Sequence, residues 1–322
     1  MKPSRESSRA ALLLTNRLVK TDAKPMLARE FWSVVDRVED LSVLLDLDVA
    51  DLVEKLSFDA AAADRIRSLL DASTALAFER ERLEEGGISL VSVFDETFPP
   101  VLRERLGTAC PPFLLLAGPT TWLKTPGLGV VGSRDASDAS LEAAKRSAEM
   151  AAERGWAVIS GLARGVDHVT MAAALDAGGL VVGVPAEGIR RVSRNAEIRR
   201  RVHGGELCMA SPFGPDTPLQ AGNAMGRNKI IYALSRVTFV ADSNRGSGGT
   251  WAGAKEALDK GYAPVAVWAG KGAGEGNEDL ARRGATAVAH VADLFDVDPA
   301  PPRVTIRRAR SAAPVGQQPV VP

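Results

Sequence analysis

Short apolar runs that end in glycine-containing turns recur through the second half of the chain and alternate with helical patterns. With their turns, these runs cover residues 128–134, 156–161, 180–188, 236–243 and 262–270. Strands that alternate with helices at this spacing favour a parallel sheet with right-handed crossover connections. We therefore predict an α/β fold for this part of the chain, with a Rossmann-like, doubly wound, mostly parallel sheet.

The two ends of the chain differ in character from this middle part. Apolar residues at three- and four-residue spacing, such as Phe31, Val34 and Val38, predict a small all-α N-terminal domain. We expect residues 1–85 to form this domain and a linking helix, and residues 86–298 to form the α/β domain. Residues 299–322 are rich in proline and arginine, which predicts a disordered tail; a nucleic-acid tether is the alternative.

Composition excludes several classes of protein. The chain has 40 basic and 40 acidic residues, so an anion site has to come from local clustering of charge. Cys110 and Cys208 lie far apart without a CxxC motif, which argues against a zinc site and a disulfide framework. No apolar stretch has the length of a membrane span or of a signal sequence. We expect a soluble, cytoplasmic protein without metal, cofactor or membrane contact.

The turns that follow the predicted strands are the expected ligand site, because ligands bind outside the carboxyl ends of parallel strands. In the segment 159–177 a strand, a tight turn and a helix start follow one another. Unpaired N–H groups at such a helix start bind phosphate or carboxylate. Arg164 adds a positive charge, and its guanidinium can donate two parallel hydrogen bonds to the same anion. The alternative is an ordinary turn in which Gly161 and Gly165 only relieve backbone strain.

Positive charge is concentrated in two segments. Residues 188–202 carry six arginines against one glutamate and are predicted to form a basic loop; they are Arg190, Arg191, Arg194, Arg199, Arg200 and Arg201. Arg227, Asn228 and Lys229 directly precede an apolar helix pattern. Cations at a helix start are disfavoured by the helix dipole unless an anion is present, which favours an anionic ligand. A solvated basic loop is the alternative.

Nothing in the sequence indicates catalysis. His168, His203 and His290 are isolated, and no nucleophile–base pair or paired carboxylates stand out. GSGGT at 246–250 resembles a phosphate loop only loosely, because it lacks the Lys-Ser/Thr end of a Walker motif. The alternative to phosphate binding is that the hydroxyl groups of this segment cap the helix that follows it. We expect a binding protein and not an enzyme.

Seven segments follow one another over about residues 86–270: GISLVSVFDETFPPVL, PPFLLLAG, VGSRDAS, SGLARGVD, GIRRVSRN, PLQAGNAMGRNKIIYALS and GSGGTWAGAKEA. Taken in this order, they resemble the DprA/Smf family of DNA-processing proteins. SGLARGVD together with RNKII is the most specific part. GIRRVSR stands where the family has GLDxxYP, so we expect a divergent member, without the winged helix that many members carry at the C-terminus.

The resemblance implies a protein that binds and protects single-stranded DNA in natural transformation and recombination. It further implies a homodimer formed through the Rossmann-like domain, which loads a RecA-type recombinase. The residues predicted to bind DNA or phosphate are Ser133, Arg134, Ser160, Gly161, Arg164, Gly165, Arg227, Asn228, Lys229, Ser247, Gly248, Gly249 and Thr250. The alternative function is a nucleotide-sensing or nucleotide-processing Rossmann-like protein with a phosphate-binding GG-T turn.

Overall fold

In a computed structural model of the chain, which describes residues 4–125 and 127–297, helices come first and a sheet follows. The N-terminal helices are α1 (Arg5–Thr15), α2 (Ala28–Val35), α3 (Val49–Leu56), α4 (Ala60–Leu70) and α5 (Ser73–Glu85). Side chains cap three of their starts: those of Ser4, Asp48 and Asp59 each accept a hydrogen bond from the amide three residues later. The predicted helical N-terminal part is confirmed.

The N-terminal helices pack directly on the part of the chain that follows. Trp32 of α2 is fully buried, and its Nε1 donates a hydrogen bond to the carbonyl oxygen of Cys110 at 2.8 Å. The guanidinium of Arg103 lies 3.5 Å from the centroid of the same ring. One hydrophobic core runs across residue 85. The element type changes at the predicted boundary, and the division into domains stays a prediction.

The sheet contains strands of three to five residues separated by helices. The strands are β1 (Ser89–Ser92), β2 (Phe113–Ala117), β3 (Gly127–Val131), β4 (Ala157–Ser160), β5 (Val181–Gly183), β6 (Leu207–Ser211), β7 (Val237–Val240), β8 (Val265–Trp268) and β9 (Thr286–Val288). The helices are α6 (Pro100–Leu106), α7 (Asp138–Glu153), α8 (Val166–Asp176), α9 (Ile189–Val192), α10 (Ala196–His203), α11 (Ala221–Leu234), α12 (Gly248–Lys260) and α13 (Glu275–Arg282).

The strand order confirms the predicted doubly wound sheet. Among the described residues, nine strands lie in the order β1-β2-β6-β5-β4-β3-β7-β8-β9. Neighbours from β6 to β9 run parallel, whereas β2 pairs antiparallel with β1 and with β6. The chain leaves β3 toward β4 on one side and later adds β7 on the other. The order therefore reverses at β3, where a ligand crevice is expected.

Among the strands that pair in parallel, two have no counterpart among the sequence predictions. All five residues of β6 are buried, but its Leu-Cys-Met-Ala-Ser sequence lacks the β-branched residues that mark a strand. β9 has only three residues. The predicted basic tail, residues 299–322, lies outside the described residues. None of the described helices is long and apolar enough to cross a membrane.

Candidate functional site

Turns from separate parts of the chain line one cavity of about 420 Å³ at the carboxyl ends of β3, β4 and β7. Most of the predicted binding residues line it: Ser133, Arg134, Arg164, Arg227, Asn228, Ser247, Gly248, Gly249 and Thr250. The cavity lies at the strand where the sheet order reverses, as the fold leads one to expect. The structure thus brings together residues that are more than a hundred positions apart in the sequence.

A glycine holds the turns after β3 and β4 in contact. Gly165 has a φ of +76°, and a Cβ there would lie 2.6 Å from the carbonyl oxygen of Ser133 and 2.7 Å from Cα of Arg134. A side chain would therefore be excluded both by backbone conformation and by space. This contact brings Arg134 and Arg164, which are both exposed, to the wall of the same cavity.

The central cation of the site is the buried side chain of Arg227. Arg227 is 6% exposed, and its Nη2 donates to Oδ2 of Asp167 at 3.3 Å. Its Nε and Nη1 are buried and have no hydrogen-bond partner among the described residues. A Cβ at Gly161 would overlap the guanidinium, so Gly161 allows the arginine to reach this position. Gly161 is therefore a packing residue of the site.

The start of α12 forms another wall of the cavity. Ser247 stands at the N-cap position, but its side chain caps no amide of the described helix. The alternative interpretation, in which hydroxyls of GSGGT cap this helix, is therefore wrong. An uncapped helix start carries unpaired N–H groups and the positive end of the helix dipole, and both favour an anion.

The start of α8 is partly occupied by the protein itself. The Val166 amide donates to the carbonyl oxygen of Ser133 at 3.4 Å, and the Ala163 amide donates to Oδ2 of Asp167 at 3.4 Å. The carboxylate of Asp167 therefore occupies an anion-binding position at this helix start, where the sequence analysis expected a ligand. Of the α8 and α12 starts, that of α12 is the more open to an incoming anion.

The predicted helix start at Arg227 is wrong. α11 begins at Ala221, so Arg227, Asn228 and Lys229 lie in its middle, and the argument from cations at a helix start does not apply. Residues two apart on a helix point about 200° away from each other. Lys229 accordingly forms an ion pair with Glu256 at 3.0 Å and lines a different depression, beside the N-terminal helices. Asn228 faces the cavity and donates to the carbonyl oxygen of Gly249 at 3.4 Å.

Ser160 has its hydroxyl inside the sheet. Its side chain is fully buried, and Oγ donates to the carbonyl oxygen of Val130 at 2.8 Å. The bond ties the end of β4 to β3. Ser160 therefore stabilises the strands beneath the cavity. It is not one of the described residues that line the cavity.

The predicted basic loop is mostly helical, and much of its positive charge is paired with acids. Arg190 and Arg191 lie in α9, Arg199, Arg200 and Arg201 lie in α10, and only Arg194 of the six lies in the turn between them. Most of these arginines are paired with acids: Arg190 with Asp216 at 2.6 Å, Arg191 with Glu187 at 3.4 Å, Arg200 with Glu197 at 2.7 Å, and Arg201 with Glu197 at 2.8 Å and with Glu206. Several of those acids come from outside the arginine-rich segment. In the described part of the chain, none of the six arginines lines the cavity.

The loop after β7 is fixed by buried polar contacts. Ser243, which lines the cavity, donates from Oγ to Oδ1 of Asn277 at 2.8 Å, and Nδ2 of Asn277 donates to the carbonyl oxygen of Trp268 at 2.9 Å. Burial raises the pKa of the neighbouring Asp242, while hydrogen bonds from Ser140 and from the Ser137 amide oppose that shift. The loop that leads to α12 is therefore anchored at its base.

A family model describes the same region. The model of DNA recombination-mediator protein A matches residues 89–297 of the chain. The chain belongs to this family. The resemblance to DprA/Smf proteins, first identified from the motifs, is thereby confirmed.

Curated relatives extend the family match. DNA processing protein DprA of Bacillus subtilis is 26% identical over 299 residues, covering 89% of this chain and 95% of that protein. Protein Smf of Escherichia coli is 31% identical over 220 residues, covering 66% of this chain and 58% of Smf. The chain thus aligns with nearly the whole length of one relative and with little more than half of the other.

Solved structures support the fold. DNA processing protein A of Streptococcus pneumoniae superposes with a TM-score of 0.63 at 22% identity, covering 84% of this chain and 98% of that chain. DNA processing protein A of Helicobacter pylori, whose structure is described as showing its single-stranded DNA binding mode, superposes with a TM-score of 0.54 at 20% identity, covering 65% and 94%. At these identities the comparisons establish the fold alone.

Several residues that line the cavity, Asp167 among them, were not selected from the sequence. Asp167 belongs to SGLARGVD, lines the cavity and pairs with Arg227, which is 60 positions further along the chain. The sequence did contain an indication of its role, because an aspartate in the first turn of a helix, close to arginines, is expected to form an ion pair with one of them. Asn244 also lines the cavity and stands out in sequence only as a polar residue after a strand.

Proposed function

We propose that the cavity binds backbone phosphates of single-stranded DNA and that the chain is a single-strand-binding and protecting protein. The observation that carries the proposal is Arg227. Arg227 lines the cavity, and its Nε and Nη1 are buried and have no partner among the described residues. Leaving charged donors buried and unpaired is costly, and an anionic oxygen in the cavity would provide the missing acceptor.

Phosphate fits the remaining groups of the site. Arg134 and Arg164 are exposed at the wall, and the uncapped start of α12 adds backbone amides. A phosphate has enough oxygens to accept hydrogen bonds from guanidinium and amide groups together. Because every nucleotide carries the same phosphate, such contacts give affinity without sequence choice.

Two larger depressions are weaker candidates. One of about 970 Å³ lies between α1 and α5, and one of about 1060 Å³ lies near Arg105 and Arg236. Both have lysines or arginines mixed with glutamates and aspartates. Nη1 of Arg105 already donates to the carbonyl oxygens of Ala233 and Ser235. A guanidinium whose donors are used in this way has less to gain from an anion.

Single-stranded DNA is favoured over duplex for two reasons. The cavity is recessed and small, so a flexible strand can turn a phosphate into it more easily than a rigid duplex can. The Helicobacter pylori relative is described by its single-stranded DNA binding mode. A role in DNA uptake by natural transformation, homodimer formation and the loading of a RecA-type recombinase extend the proposal. They rest on family membership.

A salt series tests the proposal. We expect a labelled oligothymidylate to bind more tightly than a duplex of equal length, with an affinity that falls steeply between about 50 and 200 mM salt. Equal affinity for the duplex at moderate salt would contradict single-strand binding. Recombinase loading is tested by adding the chain to RecA and single-stranded DNA and measuring whether filaments form faster.

The nucleotide-binding alternative is kept because of the α12 start, whose glycines and lack of a cap also suit a single nucleotide phosphate. Mass spectrometry of the protein as purified separates the two. A nucleotide retained at one per chain, displaced by no oligonucleotide, would favour the alternative. Release of any such nucleotide by an oligothymidylate would favour DNA.

A further inference from the structure

A carboxylate shares the cavity with the arginines. Asp167 is 5% exposed, lines the cavity and lies in the first turn of α8. Its Oδ2 accepts from Nη2 of Arg227 at 3.3 Å and from the amide of Ala163 at 3.4 Å. A buried negative charge therefore already stands beside the unpartnered donors that would bind a phosphate.

The charges of the cavity wall nearly balance. Among the described residues that line it, the charged side chains are Arg134, Asp135, Arg164, Asp167 and Arg227. One net positive charge remains. A singly charged phosphodiester would neutralise this charge, whereas a doubly charged terminal phosphate would bring an excess negative charge next to a carboxylate.

The two aspartates do not act equally on a ligand. Asp135 is exposed, so water and salt screen its charge. Asp167 is buried, and charges interact more strongly where the effective dielectric constant is low. The repulsion felt by a second phosphate charge therefore comes mainly from Asp167.

We propose that Asp167 makes the cavity selective for singly charged phosphodiesters over doubly charged terminal phosphates. The preferred ligand is then the interior of a nucleic-acid strand, and free nucleotides and phosphorylated strand ends are disfavoured. The inference rests on the proposed function, because it requires that the cavity binds phosphate. Asp167 is a specificity-determining residue in this scheme and also positions the guanidinium of Arg227.

Two matched ligands test the charge effect directly. Thymidine 5′-monophosphate and its methyl ester share base and sugar and differ by one methyl group and, at about pH 8, by one charge, since the second phosphate pKa is about 6. Each is used to displace a labelled oligothymidylate from the full chain. We expect the methyl ester to displace it at a concentration about tenfold lower, which corresponds to ~1.4 kcal/mol.

Acidification of the wild-type chain gives a test that needs no variant. At about pH 5 the monophosphate carries a single charge, so the preference for the methyl ester should disappear. His168 is exposed beside Asp167 on α8, and it acts alike on two ligands that carry the same charge. A preference that is the same at both pH values would overturn the proposal.

Substitutions then assign the effect to one residue. Asp167→Asn should remove most of the preference at about pH 8, Asp167→Glu should keep it, and the control Asp135→Asn should change it little. The proposal is overturned if Asp167→Asn keeps the full preference, if the monophosphate binds wild type more tightly than the ester, or if neither ligand displaces the oligonucleotide at millimolar concentration. If no oligonucleotide binds at all, the proposed function itself fails.

Discussion

The guanidinium of Arg227 occupies the space that a side chain at Gly161 would need. The two residues are 66 positions apart, and their contact joins the turn after β4 to the middle of α11. Nη1 of the same guanidinium is one of the two nitrogens without a partner among the described residues. The position of the buried cation thus depends on the absence of a side chain at residue 161.

Gly161→Ala should displace Arg227 and weaken both folding and DNA binding. Forcing extra atoms into a packed site costs about 1–3 kcal/mol, because the neighbours must move. Thermal unfolding and oligothymidylate titration measure the two losses. The matched control is Gly222→Ala in α11, the helix that carries Arg227, where a Cβ meets nothing within 4 Å. We expect the control to keep full affinity; a Gly161→Ala protein that also keeps it would contradict the packing argument.

Arg164→Ala should reduce single-strand affinity with little effect on stability. The side chain is exposed at the cavity wall, and losing a charge-assisted hydrogen bond costs about 1–3 kcal/mol. Arg190→Ala and Arg200→Ala are the controls, since these arginines are paired with Asp216 and Glu197 away from the cavity. We expect smaller losses, seen mainly in the salt dependence. Anisotropy titrations in which the controls lose more than Arg164→Ala would point to α9 and α10 as the DNA site.

Gly249→Asp should change stability and binding in opposite directions. Gly249 is exposed in the first turn of α12, and a Cβ there meets nothing within 4 Å. An acid near a helix start stabilises it by about 0.3–1 kcal/mol, whereas its charge repels a phosphate in the cavity. Gly249→Ala is the neutral comparison for binding. An aspartate variant that binds DNA as well as the alanine variant would exclude the α12 start from the site.

Asp242→Asn should stabilise the protein at neutral pH. Burial holds the pKa of Asp242 above its usual value of 3.8, so the folded state binds this proton more tightly than the unfolded state does. Ionisation therefore costs stability as the pH rises above that value. The gain from asparagine should be present at neutral pH and shrink as the pH falls toward 3.8. Urea unfolding over a pH series measures it, and a gain that grows on acidification would contradict the assignment.

The sheet and the location of the site could be predicted because both follow from local patterns. Apolar runs with glycine turns identified β3, β4, β5, β7 and β8, and parallel strands bring the turns after them to one edge. β6 was not predicted because its residues include none of the β-branched or aromatic types that are typical of strands. Local sequence was sufficient wherever one segment determines one element.

The inner geometry of the site could not be predicted in the same way, because it depends on contacts between distant segments. Arg227 and Lys229 were assigned to one pocket, since nothing local showed that α11 begins six residues before Arg227 and turns the two side chains apart. Arg190 looked unbalanced within its segment, but Asp216 neutralises it from a later loop. A charge count along the sequence does not include acids that folding brings near.

The most direct test of phosphate binding in the cavity is a crystal structure of the chain with a short oligothymidylate. We expect a backbone phosphate within hydrogen-bond distance of Nε or Nη1 of Arg227 and of the first amides of α12, with Arg164 alongside. A strand lying along α9 and α10, with no phosphate near Arg227, would contradict the proposed site.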